Sequence, residues 1–176
     1  MPVRLTHWAV ALLVSINFFY ETGWWHRCYG YIAVCLVLMR LLLGTLNSLK
    51  AQPDIADYAS RLWWPGFSQI RQHLEALCSV CLKRATHLHA YAGHNPLGQL
   101  AAYLMWFLIL GLAFTGCLSR TDLLWGEDWP VDCHRWLSIV LQGLVILHIC
   151  VVIMMSYLQK QNLLIAMLNG KKSKPE

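Results

Sequence analysis

The feature that most constrains this chain is the apolar run at residues 133–157, CHRWLSIVLQGLVILHICVVIMMSY. As a helix rising ~1.5 Å per residue it is long enough to cross a bilayer core of ~30 Å. His134 opens the run and His148 lies inside it, 14 residues further on. Fourteen residues is close to four whole helical turns, so both imidazoles leave the same side of the helix, about 21 Å apart along its axis. An ionisable side chain at membrane depth is costly and marks a functional site by default. Two on one stripe suggest two stacked cofactor sites. The plainer reading makes His134 an interfacial residue and His148 a hydrogen-bonded packing residue, and this helix alone does not separate the two.

Composition makes this an integral membrane protein. Hydrophobic residues make up 57% and charged residues only 13% of the 176, against about 25% charged in soluble domains. The expected fold is an all-α integral membrane protein, a single domain over residues 1–176, built as a four-transmembrane-helix bundle. The spans are expected at about 5–22, 26–47, 95–118 and 133–157. The first is retained, since no small-residue cleavage site follows it. Gly23, Trp24 and Trp25 read as a tight turn with interfacial aromatics. Gly111 and Gly116 in the third span allow close approach of another helix or of a flat ligand. The block at 48–94 is polar and lies outside the membrane. Within it Phe67, Ile70, Leu74, Leu77 and Cys81 recur at three and four residues, the pattern of an amphipathic helix lying along the interface or packed on neighbouring protein. The seven cysteines form no paired framework of the secreted kind. Those in the apolar stretches read as small packing residues.

Lysine and arginine set the orientation. With four spans, both termini and the 48–94 loop share one side. That side carries Arg4, Arg40, Lys50, Arg61, Arg71, Lys83, Arg84, Lys160, Lys171, Lys172 and Lys174, and the other only Arg27, Arg120 and Arg135. The basic side is therefore expected in the cytoplasm, N-in and C-in. The net charge of +5 is an insertion signal and a contact for anionic lipid, not a nucleic-acid surface. The outer side has Glu21, Asp122, Glu127, Asp128 and Asp132 against its three arginines. It reads as a solvated loop or as a mildly acidic face for a basic protein partner.

Depth then sorts the histidines. His26 opens the second span and His134 the fourth, both from the outer side. His148 lies about 21 Å further in, and His7, in the oppositely directed first span, roughly 22 Å in from its outer end. The four fall into two levels, His26 with His134 and His7 with His148. Zinc usually takes four ligands, and each level offers two histidines. A haem needs only two axial ligands, because the macrocycle supplies the rest. Two bis-histidine b-type haems fit best, with His26 and His134 on the outer one and His7 and His148 on the inner one. Covalent attachment needs Cys-x-x-Cys-His, and Cys78-Ser-Val-Cys81 is followed by Leu82. Arg40, 14 residues after His26, faces the same way at the inner depth. A haem propionate would answer its charge, and snorkelling to the cytoplasmic surface would do so equally. His94 stands at the cytoplasmic entrance of the third span. It is placed to hydrogen-bond a quinone or relay a proton, or to serve as a plain interfacial residue.

At this point the chain resembles the prokaryotic cytochrome b561 family, including the b-type subunits of membrane nickel–iron hydrogenases. The matching stretches are VRLTHW at 3–8, HRCYGY and LMRLLLG across 26–44, GHNPLG at 93–98, HRWL with LVILHI across 134–149, and NLLIAMLNGKK at 162–172. The resemblance implies a four-helix diheme cytochrome with His7, His26, His134 and His148 as axial ligands, and a role for His94 near quinone. It implies a multi-pass protein of the bacterial inner membrane, an electron-transfer subunit exchanging electrons between a periplasmic redox partner and the quinone pool. The turn between the first two spans is shorter than in the hydrogenase branch, so a c-type cytochrome stands beside a hydrogenase-like subunit as partner. Two other functions stay open: a stand-alone superoxide:ubiquinone oxidoreductase of the same fold, and a redox-silent anchor or metal-binding transporter. A homodimer is an open oligomeric reading.

Overall fold

The protein is described here from a computed structural model, which defines residues 2–49, 65–81, 96–124, 126–158 and 162–169. The described residues are helical apart from turns. The helices are α1 (Pro2–Phe19), α2 (Gly23–Leu49), α3 (Phe67–Cys81), α4 (Pro96–Leu118), α5 (Trp129–Leu158) and α6 (Leu163–Asn169), with one 3-10 turn at Asp122–Leu124. A helix satisfies its backbone polar groups internally, which is what a chain this apolar must do in lipid. The hydroxyls inside the long helices follow the same rule. Thr6, Thr45, Ser48 and Thr115 each donate to a carbonyl three or four residues back on their own helix, as expected where no water is at hand.

Three helices are long and apolar enough to cross a membrane: Gly23–Leu49, Pro96–Leu118 and Trp129–Leu158. Val3–Phe19 is a shorter apolar helix. Two boundaries differ from the expectation by about a turn. α2 begins at Gly23 and not at His26, because Gly23 has φ +94°, a left-handed conformation open to glycine at little cost. The reversal is therefore confined to Tyr20–Thr22, and Trp24 and Trp25 are already helical. α5 begins at Trp129 and not at Cys133. Pro130 suits a first helical turn, and the Asp128 carbonyl accepts from the amides of Val131 and Asp132 at 3.1 Å each. His26 and His134 consequently sit inside their helices and not at their first residues. The amphipathic segment of the 48–94 block is helical as expected, at Phe67–Cys81.

The chain divides into two compact units, Met1–Trp63 with Trp106–Ile139, and Trp64–Met105 with Val140–Glu176. In the first, α1 packs along α2. The buried residues of α2 are Ala33, Val37 and Gly44. With His26, Gly30 and Arg40 they form one stripe at steps of three and four residues, so the histidine face of α2 is its packed face. α4 contributes Leu108, Ile109 and Thr115 to the interior of this unit, while Phe107 and Phe114 on α4 lie outward. In the second unit Leu141 and Met155 are buried, and His148 stands seven residues from each, on their stripe. Here too Ser156 Oγ accepts from the Leu163 amide at 2.9 Å and Asn162 Oδ1 caps α6 through the Ile165 amide at 3.0 Å.

Candidate functional site

The first unit brings His26 of α2 and His134 of α5 together, with ring centroids 5.9 Å apart and ring planes at 68°. Each imidazole is held through Nδ1 by a backbone carbonyl. His26 Nδ1 lies 2.6 Å from the carbonyl of Tyr20, and His134 Nδ1 lies 3.0 Å from that of Leu112. A carbonyl only accepts, so each Nδ1 carries the proton and each Nε2 presents its lone pair. The local chain explains both bonds. The turn over Tyr20–Thr22 folds the end of α1 back over the first turn of α2, which aims the Tyr20 carbonyl at His26. A carbonyl oxygen has two lone pairs, so Leu112 O accepts from His134 from outside α4, while Thr115, three residues on, directs its hydroxyl proton within α4, at 2.9 Å to Gly111 O with Leu112 O at 3.2 Å. The Thr115 oxygen itself stands 3.1 Å from His134 Nδ1 and so shares its proton with Leu112.

Small residues flank the pair. A Cβ built on Gly116 would come within 3.3 Å of His134 Cε1 and 3.4 Å of its Nδ1, so the Nδ1–Cε1 edge of the ring lies close against a bare stretch of α4. A Cβ on Gly30, one turn after His26, would stand 3.4 Å from Asn17 Nδ2. Asn17 Oδ1 is buried without a hydrogen-bond partner. A buried acceptor in this state calls for a bound group or water to complete it.

These features fit a haem. Two imidazoles ligating one metal from opposite sides through Nε2, with metal–nitrogen bonds of ~2.0–2.1 Å, would have ring centroids roughly 6 Å apart. Nδ1–H bonds to backbone carbonyls are the usual outer anchors of metal-binding histidines. Among the described residues no group of three or more His, Cys, Asp or Glu side chains converges. Two imidazoles match the axial demand of a macrocycle better than the four ligands of zinc.

The other sequence-predicted residues are placed as follows. His7, half-buried in α1, makes an edge contact with Trp8 at 5.5 Å between centroids. His148 is half-buried in the second unit. Arg40, on the packed stripe of α2, holds its guanidinium carbon 5.8 Å from the centre of the Trp106 ring, a cation–π contact that sequence reasoning missed. His94 lies outside the described residues. Thr115 and the two carbonyl anchors were also missed. Gly116 beside a lone threonine in an otherwise apolar span is the one signal that pointed there. The described cysteines with resolved side chains are free thiols, Cys78 among them.

A half-buried pair of imidazoles in an apolar helical protein fits the class of membrane b-type cytochromes. A profile of the prokaryotic cytochrome b561 family matches residues 1–170, and the chain belongs to that family. It is accordingly a multi-pass membrane cytochrome of electron transport that binds haem b. Searches of curated proteins and of solved structures each found no match.

Proposed function

We propose that this cytochrome holds two b haems, one above the other, and passes electrons between a periplasmic redox protein and the membrane quinone pool. The observation that carries the reading is the outer pair, His26 and His134, 5.9 Å apart with both Nδ1 atoms anchored. The inner pair is His7 with His148, on the helix arithmetic of α1 and α5. Four spans, with α1 as the short fourth, leave both termini on the basic, cytoplasmic side. The membrane is the bacterial inner membrane, where the quinone pool lies.

Haem, when bound, supplies a one-electron iron couple at each level. The chain's own residues do the rest. The Tyr20 and Leu112 carbonyls fix the two outer imidazoles in the tautomer that offers Nε2, so no ligand needs to rotate or shed a proton when the oxidation state changes. The packed apolar faces of α2 and α4 lower the polarity beside the site, and low local polarity is one of the levers that set a haem potential. α5 carries His134 and His148 on one unbroken helix, so about 21 Å separates the two levels. Arg40 offers a positive charge at the inner depth for a propionate. His94, which precedes the third span in the sequence, would serve a quinone that takes its protons from the cytoplasm. The acidic outer loop suits a basic partner such as a c-type cytochrome, with a hydrogenase-like subunit as the other candidate.

The test is H148A in the detergent-purified chain. The expected result is loss of one haem of the two and loss of haem oxidation by added quinone, with the outer haem still reducible. Retention of both haems sinks the inner assignment.

A further inference from the structure

The two outer imidazoles are held differently. His26 is tied by a single carbonyl in the exposed turn before α2. His134 is tied by a carbonyl and by a side chain, the hydroxyl of Thr115. Thr115 is only 7% exposed and is the one buried polar residue among the described interior side chains. Its proton is committed within α4, to Gly111 O with Leu112 O nearby. Its oxygen can therefore face His134 only as an acceptor. The Nδ1–H of His134 thus runs between two acceptors on one turn of α4, Leu112 O at 3.0 Å and Thr115 Oγ1 at 3.1 Å, while Gly116, the residue after Thr115, leaves the ring no Cβ to ride against.

We propose that Thr115 is a positioning residue for the outer haem: its hydroxyl oxygen fixes the rotation of the His134 ring and tunes the reduction potential through Nδ1. This rests on the reading of His134 as an axial ligand. The physical reason is that an acceptor on Nδ1–H raises the basicity of the ligating nitrogen. A more basic ligand favours the oxidised iron. With two acceptors the ring also has one preferred rotation about the metal–nitrogen bond. With the carbonyl alone it has more freedom.

The experiment is a redox titration, followed in the visible spectrum, of purified haem-loaded wild type, T115V and T115S, with the low-spin ferric signal recorded on the oxidised samples. Valine keeps the shape of threonine and removes the acceptor, while Leu112 O still satisfies Nδ1–H. In T115V one haem is expected to titrate at a higher potential, its reduced-to-oxidised ratio at a fixed ambient potential several-fold above wild type, with a shifted ferric signal. The other haem is expected unchanged. T115S, which keeps the oxygen, is expected to restore both properties. If T115V instead loses one haem, T115S must retain it. Wild-type titration and ferric signal in T115V overturn the proposal, as does a T115S variant that behaves like T115V. H134A separates this from the ligand reading. If H134A keeps both haems, His134 is not a ligand. If H134A loses one haem while T115V titrates as wild type, only the role of Thr115 falls.

Discussion

At the scale of residues, the site is a matter of which atoms can approach an imidazole. Gly116 lies so close to His134 that a methyl group would press on Cε1 at 3.3 Å, while the same change at Gly30 meets Asn17 at an ordinary 3.4 Å contact. G116A is therefore expected to displace the His134 ring and lower haem occupancy at that level, by up to about tenfold in affinity. G30A is expected to keep wild-type haem content. The haem-to-protein ratio of the two purified variants checks this, and equal ratios would remove the close approach as a determinant. The histidines were legible in the sequence because an imidazole in an apolar span is costly and conspicuous. Their anchors were not. A backbone carbonyl leaves no side-chain signal, and a threonine such as Thr115 can satisfy itself on its own helix, so nothing in its position announces a neighbour on α5. Trp106 beneath Arg40 was hidden for the same kind of reason: a tryptophan in a span reads as packing.

At the scale of elements, the turn between α1 and α2 does two jobs. It reverses the chain in very few residues and it delivers the Tyr20 carbonyl to His26. Both depend on Gly23 at φ +94°. G23A forces an L side chain into the left-handed region, at a cost of about 1–2 kcal/mol, relieved only by opening the turn. The expected outcome is a lower midpoint for thermal loss of haem absorbance. G126A strains another left-handed glycine, at φ +88°, in the loop before α5, and is expected to cost similarly in stability while leaving haem content at the His26 level alone. If G23A retains haem as tightly as G126A does, the turn is not an anchor. The long helices were legible because they are uniformly apolar, and α3 because Phe67, Ile70 and Leu74 recur at helical spacing. The starts of α2 and α5 were misjudged by about a turn. Tryptophans at an interface look alike in a turn and in a first helical turn, and the conformation of Gly23 cannot be read from its neighbours.

At the scale of the whole molecule, the charge distribution and the histidine spacing lead to the same picture from independent physics. In the proposed four-span orientation lysine and arginine would gather on one side of the apolar segments, as insertion requires, and the histidines would fall at two depths. The three long spans and the shorter Val3–Phe19 helix differ in how plainly they declare themselves. The Val3–Phe19 helix is the least legible because its length is close to the shortest that crosses a bilayer. The shared face of His134 and His148 on α5 was legible because 14 residues is nearly an integral number of turns. The contact of His26 with His134 was expected from depth alone, since no spacing rule says which face of α2 meets α5. The central claim is two bis-histidine haems in one chain, and the most direct test is the haem stoichiometry of the detergent-purified protein. A reduced-minus-oxidised visible spectrum combined with haem quantified as the pyridine complex is expected to give two b haems per chain. One haem would mean that one of the histidine levels is structural, and none would contradict the account altogether.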